Sequence, residues 1–222
     1  MLVRVYDFLC SIWQYTAREN DRHFRGNCDF SGWSSQEEAG FTEAQGNKYQ
    51  PASDRLVNVL RHFPINAQDR ILDIGCGKGK AMYLMSRLPF GVIRGYDISD
   101  SLVEIANENF HALDLEQCEA VVGDALDFNE YDQFNYFFMF NPFPQKIFGV
   151  VMKNLMESLK RYPRKCVLIY LNPVYHEYIV AQTPFHLVYK KKSLLHWYDF
   201  FCYQYEGENS NYYYLGKDLQ NA

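Results

Sequence analysis

The glycine loop at residues 71–80, which read ILDIGCGKGK, constrains the fold of this chain more than any other segment. Aliphatic residues up to Ile74 are typical of a buried strand, and Gly75, Gly77 and Gly79 follow at every second position. Glycine reaches a positive φ without steric cost and has no side chain to block a ligand. A strand that turns through such a loop into a helix presents backbone N–H groups at the helix N-terminus, so a polar ligand can lie against the main chain.

The hydrophobic pattern of the remaining chain alternates between strands and helices. Strands are predicted at residues 70–74, 92–97, 120–122, 134–140 and 166–171, and then at 185–189 and 197–205. Helices are predicted at residues 51–63, 78–88, 100–110 (capped by Ser99 or Asp100), 145–161 and 175–181. This alternation predicts an α/β fold with a central, mostly parallel seven-stranded sheet, helices on both faces and an antiparallel C-terminal hairpin.

Residues 1–48 differ from the rest of the chain. Apolar residues between Val5 and Trp13 are spaced like one face of a helix, and a polar, glycine-rich stretch follows at residues 25–47. Long loops of this kind in compact domains are often functional. We therefore predict an N-terminal helix and a loop or lid over residues 1–48, and the main domain over residues 49–222.

Two acidic motifs follow predicted strands. IRGYDIS places Asp97 at the end of the second strand, near the offset of about 20 residues at which nucleotide-binding folds carry a ribose-binding acid. VVGDALDF follows the third strand and offers Asp124, with Asp127 as a competing acid. Asp97 can also be interpreted as a helix cap, and Asp124 as part of a surface turn.

Two further motifs flank the core pattern. FMFNPFP, at residues 138–144, ends the fourth predicted strand with Asn141 and Pro142, a dipeptide that is also typical of a simple turn. KYQPASDRL places Tyr49 ahead of the glycine loop, where the ring can equally serve as a hydrophobic staple for the following helix.

In this order the motifs resemble those of class I S-adenosylmethionine (SAM)-dependent methyltransferases, which have a Rossmann-like fold, over roughly residues 49–205. The resemblance implies that SAM is the cofactor and that residues 49–222 form the methyltransferase domain. It implies a cofactor site made by Tyr49, Asp73, Gly75, Cys76, Gly77, Gly79, Asp97, Ile98, Asp124, Ala125 and Asn141. It also implies a catalytic set, facing the methyl acceptor, of Asn141, Pro142 and Phe143.

The glycine spacing argues against a dinucleotide enzyme. NAD-binding folds use G-x-G-x-x-G, whereas position 80 here is Lys. Asp73 would attract the amine of an amino-acid ligand and repel a diphosphate. A NAD-dependent oxidoreductase is therefore the disfavoured alternative.

The resemblance leaves several acceptors open. FMFNPFP matches in part the N-P-P-[FY] motif of amino-group methyltransferases, in which Asn or Asp binds the acceptor nitrogen, so an amine or a protein lysine is the leading expectation. Phe143 and Pro144 depart from that motif, which argues against nucleic-acid adenine or glutamine. The alternatives are a small-molecule hydroxyl or carboxylate, and a SAM-binding protein without catalysis. His176 is a candidate base.

Composition excludes several other classes of partner. The net charge of −5 gives no general attraction to nucleic acid or to anionic lipid. No run of about 18 apolar residues predicts a membrane span. The six cysteines show no C-x-x-C spacing, so we expect no metal site, and buried thiols in a reducing cytoplasm fit best. Nothing in the sequence specifies an oligomeric state.

Overall fold

The computed structural model describes residues 28–30, 32–192 and 198–207. Its strands are β1 (Arg70–Ile74), β2 (Val92–Asp97), β3 (Cys118–Val122), β4 (Tyr136–Phe140), β5 (Cys166–Leu171), β6 (His186–Lys191) and β7 (Phe200–Tyr205). Its helices are α1 (Leu56–Leu60), α2 (Lys80–Met85), α3 (Asp100–Ala112), α4 (Gln145–Arg161) and α5 (His176–Gln182), with a 3₁₀ turn at Glu130–Gln133. The strands form a seven-stranded sheet in the order β3-β2-β1-β4-β5-β7-β6.

The sheet has the predicted mixed topology. Strands β1 to β5 pair in parallel, and β7 pairs antiparallel with both β5 and β6. All six residues of β5 are buried, as expected for a strand that is covered on both faces. The predicted parallel sheet with an antiparallel C-terminal hairpin is therefore confirmed.

Successive residues of the strands divide between two hydrophobic clusters, one on each face of the sheet. Ile71 and Phe138 lie in the cluster that contains the buried side chains of α1, α2 and α3. Leu72 and Phe137 lie in the cluster that contains those of α4 and α5. The helices thus cover both faces, as the sequence predicts.

The strand order reverses between β1 and β4, since β2 and β3 lie to one side of β1 and β5 lies beyond β4. In open α/β sheets, ligands bind outside the carboxyl ends of the strands at such a switch point. The glycine loop follows β1 and the Asn-Pro segment follows β4, so the topology brings both motifs to this position.

Two helices are shorter than predicted. Helix α1 covers only the middle of residues 51–63, because the chain must leave the helical conformation before Pro64. Helix α2 covers the middle of residues 78–88, and the hydroxyl of Ser86 donates to the carbonyl of Tyr83 at 2.7 Å, which competes with further helical bonding. Helix α4 has its predicted bounds, and α3 and α5 lie close to theirs.

The strands of the parallel core agree best with the sequence. Strands β1, β2 and β5 have their predicted bounds, whereas β3 begins earlier and β4 later than predicted. Strand β6 begins and ends later than predicted, and its pairing with β7 shifts register between Leu187 and Tyr189. The predicted start of the last strand, Trp197, and the predicted N-terminal helix lie outside the described residues.

Five of the six cysteines are described, and all five are buried, reduced thiols: Cys28, Cys76, Cys118, Cys166 and Cys202. Burial raises the pKa of Cys118 to about 12. The same cause raises the pKa of Cys166 and of Cys202 to about 12. Cys10 lies outside the described residues.

None of the helices in the described ranges is long and apolar enough to cross a membrane. In the same ranges, the histidine, cysteine, aspartate and glutamate side chains form no group of three or more that could hold a metal ion.

Candidate cofactor and acceptor site

The glycine loop adopts a left-handed backbone that other residues rarely reach. φ is +78° at Gly75, +51° at Gly77 and +78° at Gly79. Packing also requires the absence of a side chain, because a Cβ at Gly75 would lie 2.6 Å from the Cβ of Pro142 and one at Gly77 would meet the ring of Tyr49. The loop is therefore enclosed by the end of β4 on one side and by Tyr49 on another.

Asp97, the last residue of β2, is hydrogen-bonded to the glycine loop and to the start of α3. Its Oδ2 accepts the backbone N–H of Gly77 at 2.9 Å, and its Oδ1 accepts that of Ser99 at 3.1 Å. Burial raises the pKa of Asp97, and backbone hydrogen bonds from Ser99, Gly77 and Ile98 act in the opposite direction. The N-cap of α3 is Ser99, whose side chain accepts the N–H of Leu102, so the interpretation of Asp97 as the cap is wrong.

Asp73, in β1, is a buried acid with an unsatisfied oxygen. Asp73 is only 1% exposed, and its Oδ2 has no hydrogen-bond partner among the described residues. Burial raises the pKa of Asp73 well above its usual value, and the charge of Asp97 raises it further. Such a carboxylate suits a ligand ammonium, which would supply the counter-charge and the hydrogen bond that Oδ2 lacks.

A cleft lies over the glycine loop, at the carboxyl ends of the central strands. We call it the main cleft. Eight of the predicted site residues line it: Tyr49, Gly75, Asp97, Ile98, Asp124, Ala125, Pro142 and Phe143. The predicted residues that do not line it are Asp73, Cys76, Gly77, Gly79 and Asn141. The cleft thus brings Asp97 and Asp124 together, whereas the competing acid Asp127 is exposed and lies outside it.

Two of the predicted residues shape the loop without lining the cleft. The side chain of Cys76 lies in the hydrophobic core, where a Cβ at Gly95 would be 2.5 Å from that of Cys76. The backbone N–H of Cys76 donates to the carbonyl of Tyr96 at 3.0 Å. Gly79 is the N-cap residue of α2 and lies against the ring of Phe110. These contacts fix where the loop ends and the helix begins.

Residues 41–50 cover the main cleft, and we call them the strap. Apart from Tyr49, its members at the cleft are not predicted individually by the sequence: Phe41, Gln45, Gly46, Asn47, Lys48 and Gln50. The backbone N–H of Asn47 donates to the carbonyl of Pro142 at 2.8 Å, and its Nδ2 donates to the carbonyl of Asn141 at 2.7 Å. The strap is therefore fastened to the end of β4.

Tyr49 joins the strap to the segment before it. The residue is 8% exposed, and its hydroxyl donates to the carbonyl of Phe30 at 2.6 Å. Its backbone N–H donates to the carbonyl of Ser34 at 3.0 Å. These bonds hold the aromatic ring over Gly77, between the loop and the strap.

A buried polar network attaches residues 28–30 to the same loop. The Nζ of Lys78, a residue that is 2% exposed, lies 2.8 Å from Oδ2 of Asp29. Asn109 of α3 accepts the backbone N–H of Asp29 at 2.7 Å and donates to the carbonyls of Asp29 and Lys78 at 3.1 and 3.0 Å. We call this the Asp29–Lys78 network.

Asn141 lies in a second cleft, beside the main one. Its lining residues are Gln36, Asn47, Lys48, Gln50, Phe140, Asn141, Asn172 and Tyr198, and we call it the amide cleft because five of them carry a carboxamide. It shares Asn47, Lys48, Gln50 and Phe140 with the main cleft. The two clefts therefore adjoin at the strap and the end of β4.

The side chain of Asn141 is held in place by a hydrogen bond from Tyr170 of β5. The hydroxyl of Tyr170 donates to Oδ1 of Asn141 at 3.2 Å. Burial raises the pKa of Tyr170, so the phenol stays protonated and able to donate. With Oδ1 engaged, Asn141 offers the cleft the two N–H donors of its Nδ2.

His176, the candidate base, is not brought to either cleft. Its Nδ1 lies 2.8 Å from the hydroxyl of Tyr203, and its ring packs edge-on against Phe201. Neither cleft is lined by His176, so its contacts are those of a packed residue at the start of α5.

Comparison with known proteins agrees with this architecture. Residues 65–212 match a family model described as a methyltransferase domain. A curated relative, the 27-O-demethylrifamycin SV methyltransferase of Amycolatopsis mediterranei, is 30% identical over 59% of this chain. The match spans 43% of that relative, which is less than half of its length.

Solved structures share the fold at low sequence identity. A SAM-dependent O-methyltransferase from Thermotoga maritima superposes with a TM-score of 0.57 at 16% identity, over 73% of this chain and 68% of that one. An O-methyltransferase from Bacillus cereus, solved with S-adenosylhomocysteine, gives 0.52 at 17% identity over 68% and 78%. An RNA methyltransferase from Salinibacter ruber, also solved with S-adenosylhomocysteine, gives 0.53 at 16% identity over 77% and 99%.

The family match covers most of the chain and includes the glycine loop, Asp97 and the end of β4. The unsatisfied Asp73 carboxylate and the acids of the main cleft fit a cationic nucleoside. The chain therefore belongs to the methyltransferase domain family.

Proposed function

We propose that the main cleft holds SAM, with Asp97 accepting from the ribose hydroxyls and Asp124 accepting from the adenine amine. Asp97 and Asp124 line the same cleft, which supports this assignment. Each carboxylate oxygen of Asp97 accepts one backbone N–H, and an ionised carboxylate has further acceptor sites for hydroxyls. Ile98 and Ala125 line the cleft beside these acids and would pack against the adenine ring. We also propose that Asp73, which is buried in β1 and does not line the cleft, would bind the ammonium group of SAM.

The remaining predicted cofactor residues shape the loop in this proposal, except Asn141, which lines the amide cleft and is assigned to the acceptor instead. Gly75, Cys76, Gly77 and Gly79 give the backbone its path around the ligand, and Tyr49 closes over the methionine end. We propose that residues 1–48 include the lid and that residues 49–222 form the methyltransferase domain. Support for the lid comes from the strap, because five of its residues that belong to the N-terminal segment line the main cleft: Phe41, Gln45, Gly46, Asn47 and Lys48.

When bound, SAM supplies an electrophilic methyl group, so the protein has only to hold and orient the acceptor. We assign this task to Asn141, Pro142 and Phe143. Pro142 and Phe143 line the main cleft and Asn141 lines the amide cleft, so this segment lies where the two clefts adjoin. An acceptor in the amide cleft would therefore lie next to the cofactor.

We propose that the acceptor atom is an oxygen of a small molecule. The observation that carries this proposal is the hydrogen bond from Tyr170 to Oδ1 of Asn141, which leaves Nδ2 as a donor to an oxygen lone pair. The curated relative is named as a methyltransferase of an O-demethyl compound, which supports an oxygen acceptor. Residues of the strap line both clefts, and we take this enclosure to favour a small molecule over a protein side chain.

The second candidate is an amine, including a protein lysine. The Asn-Pro-Phe sequence at residues 141–143 favours it, because the same residue types bind an acceptor nitrogen in the motif it resembles. Oδ1 of Asn141 keeps a second lone pair that can accept an N–H.

The test of the acceptor class is methyl labelling of an extract of the source cells with tritiated SAM. We expect label in the small-molecule fraction rather than in the protein or nucleic-acid fractions. Asn141→Ala should reduce this labelling about tenfold, since a lost hydrogen bond of about 1.4 kcal/mol is a factor of ten. The dissociation constant of SAM, measured by calorimetry, should stay unchanged. Label confined to protein would favour the lysine acceptor instead.

Asp73→Asn should stabilise the protein without ligand at pH 7 and weaken SAM binding about tenfold. Because burial raises the pKa of Asp73 in the folded protein, the stability that this group contributes is fully present below its ordinary pKa of 3.8. That contribution is lost as the pH rises through the raised pKa, where the buried carboxyl group ionises. Asparagine cannot ionise, so the gain in melting temperature should be largest at pH 7 and shrink toward pH 3.8. Thermal melts across this range, with calorimetry at pH 7, measure both effects. A lower melting temperature at pH 7 would show that Asp73 supports the fold instead.

A further inference from the structure

Strands β4 and β5 are neighbours in the sheet and each ends in the dipeptide Asn-Pro. The asparagines are Asn141 and Asn172, with φ of +40° and +56°. A residue before proline normally prefers an extended backbone, and a non-glycine residue with positive φ is uncommon. Such conformations concentrate at functional sites, because the surrounding structure must hold them in place. The ends of β4 and β5 are therefore candidates for a functional site.

Both asparagines line the amide cleft, where Asn172 has the more available side chain. The backbone N–H of Asn172 donates to the carbonyl of Asp199 at 2.9 Å, which fixes its main chain. Its side-chain amide makes no hydrogen bond to any residue within the described ranges. Asn141 offers Nδ2, as described above. Two asparagines from adjacent strands thus line one cleft.

The charge of the cleft wall is also distinctive. Its described lining contains five carboxamides, two aromatic rings and one ammonium group, that of Lys48, but neither a carboxylate nor an imidazole. Lys48 lines both clefts, and its Nζ lies 4.3 Å from the centroid of the Trp33 ring. The acids Asp97 and Asp124 belong to the main cleft alone. This wall favours an anion over a cation.

The same composition bears on the nucleophile. An alcohol must lose its proton during transfer, which requires a base such as a carboxylate or an imidazole. The described lining of the amide cleft offers neither group. A carboxylic acid is already ionised at neutral pH and needs no base. Amide N–H groups and an ammonium are also the donors that bind a carboxylate.

We propose that the methyl acceptor is the carboxylate of a small molecule, bound in the amide cleft by Asn141, Asn172 and Lys48, and that the product is a methyl ester. This inference rests on the proposed function. A carboxylate oxygen forms the new bond to the methyl carbon while the carbon–sulfur bond of SAM breaks. The electron pair of that bond remains on sulfur, so the products are the ester and S-adenosylhomocysteine, and no proton is transferred.

The decisive test is the alkali lability of the labelled product. Labelled methyl esters release volatile tritiated methanol in mild alkali, whereas methyl ethers and methylamines keep their label. We expect most of the small-molecule label to become volatile. Alkali-stable label would overturn the carboxylate acceptor while leaving SAM binding and methyl transfer intact. Loss of SAM binding itself, seen by calorimetry, would instead count against the proposed function.

A binding measurement keeps the inference testable without turnover. With S-adenosylhomocysteine bound, a panel of aliphatic and aromatic carboxylates should raise the melting temperature, and the matching primary amides should not. Asn172→Asp keeps the size and the positive φ but adds a negative charge, and should weaken carboxylate binding about tenfold. Lys48→Gln should weaken it several-fold, whereas Lys160→Gln, an exposed change at the far end of α4, should have no effect.

A third variant separates charge from backbone strain. Asn172→Gly accepts the positive φ and removes the amide, so it should weaken carboxylate binding less than Asn172→Asp does. Equal affinity for carboxylates and amides, or tighter binding by Asn172→Asp, would overturn the inference. The inference would also be overturned if no carboxylate raised the melting temperature and the label were stable in alkali.

Discussion

Asp97→Ala is expected to weaken SAM binding about 100-fold or more. In the proposed site Asp97 accepts two ribose hydroxyls, and hydrogen bonds to a charged group contribute about 1.5–3 kcal/mol each. The loss of two such bonds exceeds the roughly 2.8 kcal/mol that corresponds to a factor of 100. The substitution also removes the acceptor that fixes Gly77 and Ser99, so the glycine loop loses its anchor at the same time. Calorimetric titration with SAM and with S-adenosylhomocysteine measures the change.

Asp127→Ala is the matched control for this variant. Asp127 is exposed, follows the third strand like Asp124 and lies outside the main cleft, so its removal should leave the affinity for SAM unchanged. The melting temperature of each variant without ligand distinguishes lost binding from lost folding. An Asp97→Ala protein that folds and still binds SAM with the affinity of the unmodified protein would end the assignment of the ribose site.

Asp29→Ala is expected to reduce the free energy of unfolding by about 3–5 kcal/mol, the usual cost of removing one partner of a buried ion pair. The carboxylate of Asp29 lies 2.8 Å from the Nζ of Lys78, whose side chain is only 3% exposed. The substitution therefore removes a charged partner from an ammonium group that stays buried at the glycine loop. Chemical denaturation followed by circular dichroism measures the loss.

The reciprocal change, Lys78→Met, should reduce the free energy of unfolding by less than Asp29→Ala does, because the two partners differ in exposure. The side chain of Asp29 is 33% exposed, so Lys78→Met leaves a carboxylate that water can reach in part. The control is Glu157→Ala, which breaks the exposed Lys153–Glu157 pair and should cost about 0.5 kcal/mol or less. A smaller loss for Asp29→Ala than for Lys78→Met would contradict the expected role of burial in the Asp29–Lys78 network.

The strands of the core could be predicted from the sequence because burial on both faces leaves a local signal. CVLIYL is a continuous apolar run with polar residues on each side, and β5 has those bounds. The end of α2 has no such signal, since it depends on how Ser86 bonds and where the next strand begins. The bounds of β5 could therefore be predicted from the sequence, whereas the end of α2 could not.

The candidate site was only partly predictable for a similar reason. Asp97 and Asp124 follow strands of a recognisable motif, so their meeting in one cleft could be expected. The contact of Asn47 with Asn141 joins residues 94 positions apart through a backbone carbonyl, and no local pattern encodes it. Asn172 did carry a signal, because it repeats the Asn-Pro dipeptide after the neighbouring strand.

The buried cysteines have a practical consequence for labelling the protein with dyes. Alkylating reagents attack the thiolate, and the pKa of about 12 for Cys118, Cys166 and Cys202 leaves almost none of it at neutral pH. Burial also raises the pKa of Cys76 well above its ordinary value. A maleimide fluorophore would therefore react with a cysteine introduced on the strap in preference to these native thiols, so movements of the strap could be followed by fluorescence after Cys10 is replaced.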